Sequence, residues 1–399
     1  MKLRKISASY VFTLAGEPIK NGIVIADELG TIVDVVNTDS EISEIEGLEF
    51  YSGILCPGFV NTHCHLELSH LKDRISRNTG LPDFLKQIVQ LRSTDEEFQL
   101  MAARQADQFM WRSGIVAVGD ISNSSLSLEI KENSKIFYHS FLECLGFLPQ
   151  RAPRALEYAE FLSHLFTTSR QRNSITAHAT YSVSDELFQY IVDDAAKNQS
   201  IISLHHQESD EEDKMFRSKS GKLLQHYQEN LKLDIDFWQS TGKSSTQSVL
   251  PKISKENQLL LVHNTYLNEE DMAWLKMNRH ASNTFFVLCP NSNLYIENRL
   301  PNLSLLRGSG FTICLGTDSL ASNNSLSILK ELLTINEYSK EIGLNELLTL
   351  ACLNGARALK IEDWAGTLEK GKKPGVNLIT GIDWANMKLL STAAVKKLI

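Results

Sequence analysis

No run in this 399-residue chain approaches the roughly 20 consecutive apolar residues that a membrane span needs. The first segment, MKLRKISASYVFTLAGEPIKNG, is too mixed for the apolar stretch of a signal peptide, so a cytoplasmic protein is expected. Nor is there a C-x-x-C pair. The six cysteines (Cys56, Cys64, Cys144, Cys289, Cys314 and Cys352) are scattered and read as buried thiols of a reduced compartment. Basic charge is not in excess either: 40 Lys and Arg stand against 48 Asp and Glu, a formal charge of −8. A phosphate-backbone partner would need a basic surface, so nucleic acid is excluded along with membrane, and a small-molecule partner is left. What the chain does have is length for two domains, or for one barrel with a smaller accessory part, and 42% hydrophobic residues to fill a large core.

The most informative stretch is 54–70, ILCPGFVNTHCHLELSH, an apolar run that breaks into polar sequence at His63 and His65. Side chains alternate along a strand, so residues two apart share a face. His63 and His65 would project together from one strand end, forming half of a metal site, while Cys64 would face the other way. The plain alternative is two unrelated histidines at a core edge. Other apolar runs end in the same manner: IISLHH at 201–206, LLLVH at 259–263 and ICLGTD at 313–318, with SITAHA before His178. Separate strands thus bring His63 and His65, one of His205 and His206, His263 and Asp318 to their C-terminal ends. That is where a parallel barrel carries its functional groups.

Residues 1–55 read as short strands with Gly, Asn and Asp turns, and from about 58 onward strand-like and helix-like segments alternate. Strands begin near 54, 115, 136, 174, 201, 259, 283 and 311, with helices over 95–113, 154–170 and 185–199 and a helix pair at 325–360. Such alternation implies a parallel sheet with right-handed crossovers. The tail at 366–383, GTLEKGKKPGVNLITGID, is β-like again. The expected fold is α/β: a (β/α)8 TIM-type barrel over 58–359 with a small β-sandwich domain built from 1–57 and 360–399.

Taken in order, PGFVNTHCH, HATYSVS, LHHQES, LVHNTYL, CPNSNLYI, GTDSLASNNSL and the GTLEKGK tail resemble the metal-dependent amidohydrolase superfamily, in its deaminase and chlorohydrolase branch. The likeness runs over nearly the whole chain. It implies that His63, His65, His205 and Asp318 hold one divalent ion, with zinc expected and iron or manganese as alternatives. The family pattern His-x-x-Glu fits His205 with Glu208, which leaves His206 to packing or hydrogen bonding outside the barrel. Glu208 is then the proton shuttle, while Glu211, Glu212 and Asp213 read as a solvated acidic run. His263 corresponds to the residue that hydrogen-bonds the attacking water or the oxyanion, and Asp318 both ligates and accepts a proton. Binuclear relatives carry a lysine or glutamate at the fourth strand end. HATYSVS has neither, so a single ion is expected, with His178 touching substrate.

Substrate is less legible. Glu67, two residues past His65, would face the same mouth and bond a heterocycle edge; Glu143 is a second candidate, and Arg92 could meet an anion or a ribose. The stretch 208–258, with Phe216, Tyr227, Phe237 and Trp238, is long enough to be a lid, or else a surface helical hairpin or dimer contact. The resemblance is strongest, through HCHLELS and its spacing to GLPDFL, to aminofutalosine-deaminase-like members. It implies hydrolytic deamination of an aminated purine-like or nucleoside-like heterocycle by hydroxide generated at the ion. The alternatives are opening of a cyclic amide, as in imidazolonepropionase-like enzymes, and a catalytically idle relative. A homodimer is the default expectation.

Overall fold

The computed structural model describes residues 3–38 and 45–399, so residues 1–2 and 39–44 of the expected terminal domain lie outside the described residues. Eight parallel strands carry the middle of the chain. They are β1 (Phe59–Cys64), β2 (Ile115–Ser122), β3 (Phe137–Cys144), β4 (Arg172–Ala177), β5 (Ile202–His206), β6 (Leu259–His263), β7 (Thr284–Leu288) and β8 (Thr312–Leu315). They form two four-stranded sheets, β1 to β4 and β5 to β8, each in sequence order. Isolated parallel bridges, Ala179 to His205 and Cys64 to Asp318, join the two sheets at both flanks. The β1–β8 seam is further closed by the Thr62 hydroxyl, which donates to Leu315 O at 2.5 Å. The His63 carbonyl accepts from the N–H groups of both Thr317 and Asp318, at 3.0 and 3.1 Å.

Nearly every strand residue is buried, as expected of parallel strands covered on both faces. Val60, Ala117, Phe141, Leu260, Phe285 and Cys314, drawn from strands of both sheets, pack in one cluster with Ala356, Leu359 and Ile361. The helices Glu96–Arg112, Ala152–Thr168 and Asp185–Asn198 pack outside. Their ends follow local chemistry: Asp95 caps the first by accepting from Phe98 N, and Ser184 caps the third by accepting from Leu187 N. The expected helix pair at 325–360 is three helices, Ile328–Tyr338, Leu344–Ala351 and Leu353–Ala358, because the chain breaks from helical geometry at Cys352.

The apolar run at 54–64 is also divided differently from expectation. Residues Leu48–Pro57 belong to an outer sheet and β1 starts only at Phe59. Gly58 makes the switch, where a Cβ would lie 2.3 Å from Val116 Cγ1 and 2.5 Å from Pro374 O, so only glycine fits. The outer sheet has seven strands and unites both chain ends. Its order is Lys388–Lys397, Val376–Asp383, Leu48–Pro57, Arg4–Val11, Ile23–Ala26 and Ile32–Val36, with Ile19–Lys20 paired to Arg4–Val11. No helix among the described residues is long and apolar enough to cross a membrane.

Candidate metal centre and cavity

At the C-terminal ends of β1, β5 and β8 four side chains converge. The ligand atoms of His63, His65, His205 and Asp318 all lie within 4.8 Å of one another, and all four residues are buried. His65 Nε2 stands 3.2 Å from both His63 Nε2 and His205 Nε2, and 3.4 Å from Asp318 Oδ1. Burial holds the rings neutral: it lowers His63, takes His65 down to about 4 and depresses His205 strongly. His205 Nδ1–H donates to the His178 carbonyl at 2.6 Å, which leaves the Nε2 lone pair facing the cluster. Asp318 Oδ2 accepts from Ser292 and Ser322, each at 2.6 Å, so Oδ1 is the oxygen turned toward the imidazoles. Lone pairs and a carboxylate crowded this closely repel unless a cation lies among them. The donor set, three neutral imidazoles and one carboxylate, suits a divalent ion of the zinc type.

Beside this group stand Glu208 and His263. His263 Nε2 is 3.6 Å from Glu208 Oε1, and it is a buried nitrogen without a hydrogen-bond partner. Its Nδ1–H donates to Asn293 Oδ1 at 2.7 Å. Burial, aided by the Asp318 charge, pushes Glu208 well above the usual carboxylate range. His263, Asn264 and Asp318 adopt left-handed φ of 75°, 56° and 56°.

His178 and Glu143 face each other across the next part of the rim, with Nδ1 2.5 Å from Oε1. Burial opposes charge on both, but their mutual attraction wins, raising His178 and bringing Glu143 down to about 2. Glu143 Oε2 also accepts from the Asn123 amide at 2.6 Å. All three line a cavity of about 310 Å³ that also reaches His65, His205, Glu208, His263 and Asp318. The outer walls are apolar, from Leu81, Phe84, Leu85 and Ile88 on one side and Tyr227 and Leu231 on the other, and Arg92 and Arg151 border it.

The expectations for Glu67, Glu211 and Glu212 are corrected, and the structure places the other residues as follows. Glu67 does not line the cavity. Its carboxylate accepts from Asn123 N at 3.1 Å and lies 3.4 Å from the Ser127 hydroxyl, because the strand alternation ends at Cys64 and Leu66–Leu71 turns as a 3-10 helix. Glu211 and Glu212 are not solvated. Glu211 accepts from Lys222 N, and Glu212, 1% exposed, accepts from the Thr180 hydroxyl at 2.6 Å and is pushed up to about 8 by burial. The stretch 208–258 folds inward as short helices, with Tyr227 stacked on Phe147 at 4.6 Å and bonded to the Tyr181 carbonyl, so its residues form one wall of the cavity. His206 turns away from the ligand group and bonds Asn264 and Thr246, at 2.9 and 2.8 Å. Cys64 is buried but outside that group. Ser292, Ser322, Asn293 and Asn123 escaped sequence reasoning. The only available signal was their place inside CPNSNLYI and GTDSLASNNSL, or just past the β2 end.

Comparison with known proteins shows likeness in sequence and fold. The chain is 26% identical over 367 residues to an adenosine deaminase of Helicobacter pylori, covering 90% of this chain and 86% of that one. The crystal structure of Helicobacter pylori aminofutalosine deaminase in complex with methylthio-coformycin superimposes with a TM-score of 0.78 at 24% identity, covering 94% and 92% of the two chains. An adenosine deaminase from Xanthomonas campestris with bound zinc gives 0.66 at 20% identity, covering 94% and 84%. The model of the amidohydrolase family matches residues 54–397, from the switch into β1 to the last outer strand, and the chain belongs to that family.

Proposed function

We propose that the protein is a hydrolytic deaminase of an aminated, purine-like or nucleoside-like heterocycle. The observation that carries this reading is the placement of Glu208 and the unpartnered His263 Nε2 beside the four converging donors, at the floor of a cavity with apolar walls. The adenosine deaminase among its relatives supports the substrate class.

His63, His65, His205 and Asp318 Oδ1 would hold the ion. A divalent ion bound there makes water acidic, with a pKa of about 7 rather than 15.7, and so supplies a nucleophile near neutrality. His263 Nε2, a lone-pair acceptor because Nδ1–H is given to Asn293, orients the attacking water over the carbon that bears the amino group. Glu208 takes a proton from that water and passes it to the adjacent ring nitrogen. The new C–O bond makes the carbon tetrahedral; the oxygen's remaining proton, accepted by Asp318, would pass to the amino group, so that the C–N bond breaks with release of ammonia and the oxygen is left as a carbonyl. Burial and the Asp318 charge raise Glu208 above the usual carboxylate range, which favours its holding the proton between acceptance and delivery. His178, charged against Glu143, presents its remaining N–H to the heterocycle.

The same reading extends to architecture. The two parallel sheets, joined at both flanks, make a closed (β/α)8 barrel over 58–359, and 1–57 with 360–399 form a small β-sandwich domain around Ile6, Val24, Leu55 and Leu378. Six free, buried cysteines support a reducing cytoplasm. A homodimer completes the proposal and is tested by light scattering. The decisive assay is a panel of aminopurines, adenosine derivatives, aminofutalosine and cyclic ureas, read by ammonia release. Carboxylate formation from cyclic ureas, with no ammonia from any aminated compound, would reject deamination in favour of amide hydrolysis.

A further inference from the structure

The helix Ile328–Tyr338 buries one carboxylate that no step above uses, Glu331, at 0% exposure. Its oxygens serve two different segments. Oε2 accepts from the backbone N–H of Asn291 at 2.9 Å, and Oε1 accepts from the Asn323 amide at 2.8 Å. Asn291 immediately precedes Ser292 and Asn293, which bond Asp318 and His263; Asn323 immediately follows Ser322, the second donor to Asp318. Burial pushes Glu331 up to about 7, against the opposing donors from Asn291 and Asn323. A buried carboxyl is costly, and helix packing alone would be served by an apolar side chain.

We propose that Glu331 is a positioning residue, which sets the spacing of the two serine-bearing segments so that both hydroxyls reach Asp318 Oδ2 and hold Oδ1 toward the imidazoles. This rests on the metal reading given above. The requirement is for an acceptor on both oxygens. Asn291 offers a main-chain N–H that cannot be reversed. Asn323 is equally committed, since its amide also donates to Thr317 O at 2.9 Å while its oxygen accepts from Ser325 N at 3.2 Å. Turning the Asn323 amide over would forfeit both bonds. A glutamine at 331 therefore sets an NH₂ against one donor or the other, and the two segments are pushed apart.

The test is the zinc affinity of metal-stripped and reloaded protein, measured by competition with a chromophoric chelator. Glu331→Gln is expected to raise the zinc dissociation constant about tenfold or more, the scale on which outer-shell partners act. In a background already carrying Ser292→Ala and Ser322→Ala, the same change should add little, because the donors it positions are gone. Wild-type affinity in Glu331→Gln, or an undiminished loss in the serine-free background, would overturn the proposal. Should that variant not fold, Asn323→Ala removes one arm of the brace and should lower affinity in the same direction; wild-type affinity there is equally fatal. His65→Ala separates the two levels. Unimpaired zinc binding in that variant sinks the metal reading itself, whereas its loss beside a wild-type Glu331→Gln sinks only the brace.

Discussion

At the floor of the cavity the polar groups sit at strand ends and most are held by named hydrogen bonds: His205 by the His178 carbonyl, Asp318 by Ser292 and Ser322, His263 by Asn293. The outer walls are made differently, from apolar side chains of the helix Leu81–Leu91 and of residues inside the 208–258 stretch, with Phe147, another cavity residue, stacked on Tyr227. Hydrogen bonds fix direction to within tenths of an ångström, as bond-making atoms require; apolar contact is tolerant of shape, as substrate recognition allows. On the proposed function, chemistry and selectivity divide along this line.

Substitutions on either side should therefore fail in different ways. The largest effect is expected for His65→Ala, which removes a ring central to the donor group; bound metal by elemental analysis and ammonia release should be lost together. Full activity in that variant would end the ligand assignment. Glu208→Gln comes next, with turnover down about 10²–10⁴-fold and metal content near wild type. Loss of the ion there would recast Glu208 as structural. Beneath the floor, Lys131 and Asp120 form a 2.6 Å ion pair with both side chains 0% exposed, and Asp120 accepts from Leu66 N directly after His65. Lys131→Met strands that carboxylate and should cost about 3–5 kcal/mol in urea unfolding. A change under about 1 kcal/mol would mean that the pair is dispensable. The smallest effect belongs to the wall. Leu85→Ala should raise KM by roughly three- to tenfold with kcat nearly unchanged, since uniform binding alone is lost. An equal fall in kcat would show that the wall also aligns the reacting carbon.

The way each residue was found, or missed, follows the same division. His63, His65, His263 and Asp318 close apolar runs, which singled them out as candidates, and the family resemblance supplied their expected roles. Glu67 was misjudged because alternation was carried past Cys64 into what is a 3-10 helix. Glu211 and Glu212 sit in an acidic run that looks solvated until the following stretch folds over it. Ser292 and Glu331 are out of reach of pattern reasoning, because their meaning comes from segments 26 and 40 residues apart, joined by the Ser292–Asp318 and Asn291–Glu331 bonds, and Ser322, four residues from Asp318, shows its role only beside Ser292. The strand order was legible from alternating elements, and the division was drawn at 58, but the strand begun near 54 belongs to the outer sheet as far as Pro57, since the close approach of Val116 and Pro374 that demands glycine at 58 is a tertiary fact.

The carbonyl of His63 receives the N–H groups of both Thr317 and Asp318. Two donors of the metal group are thereby harnessed to one peptide unit. The strand ends that carry His63 and Asp318 share a single acceptor, so drawing them apart would break both bonds together.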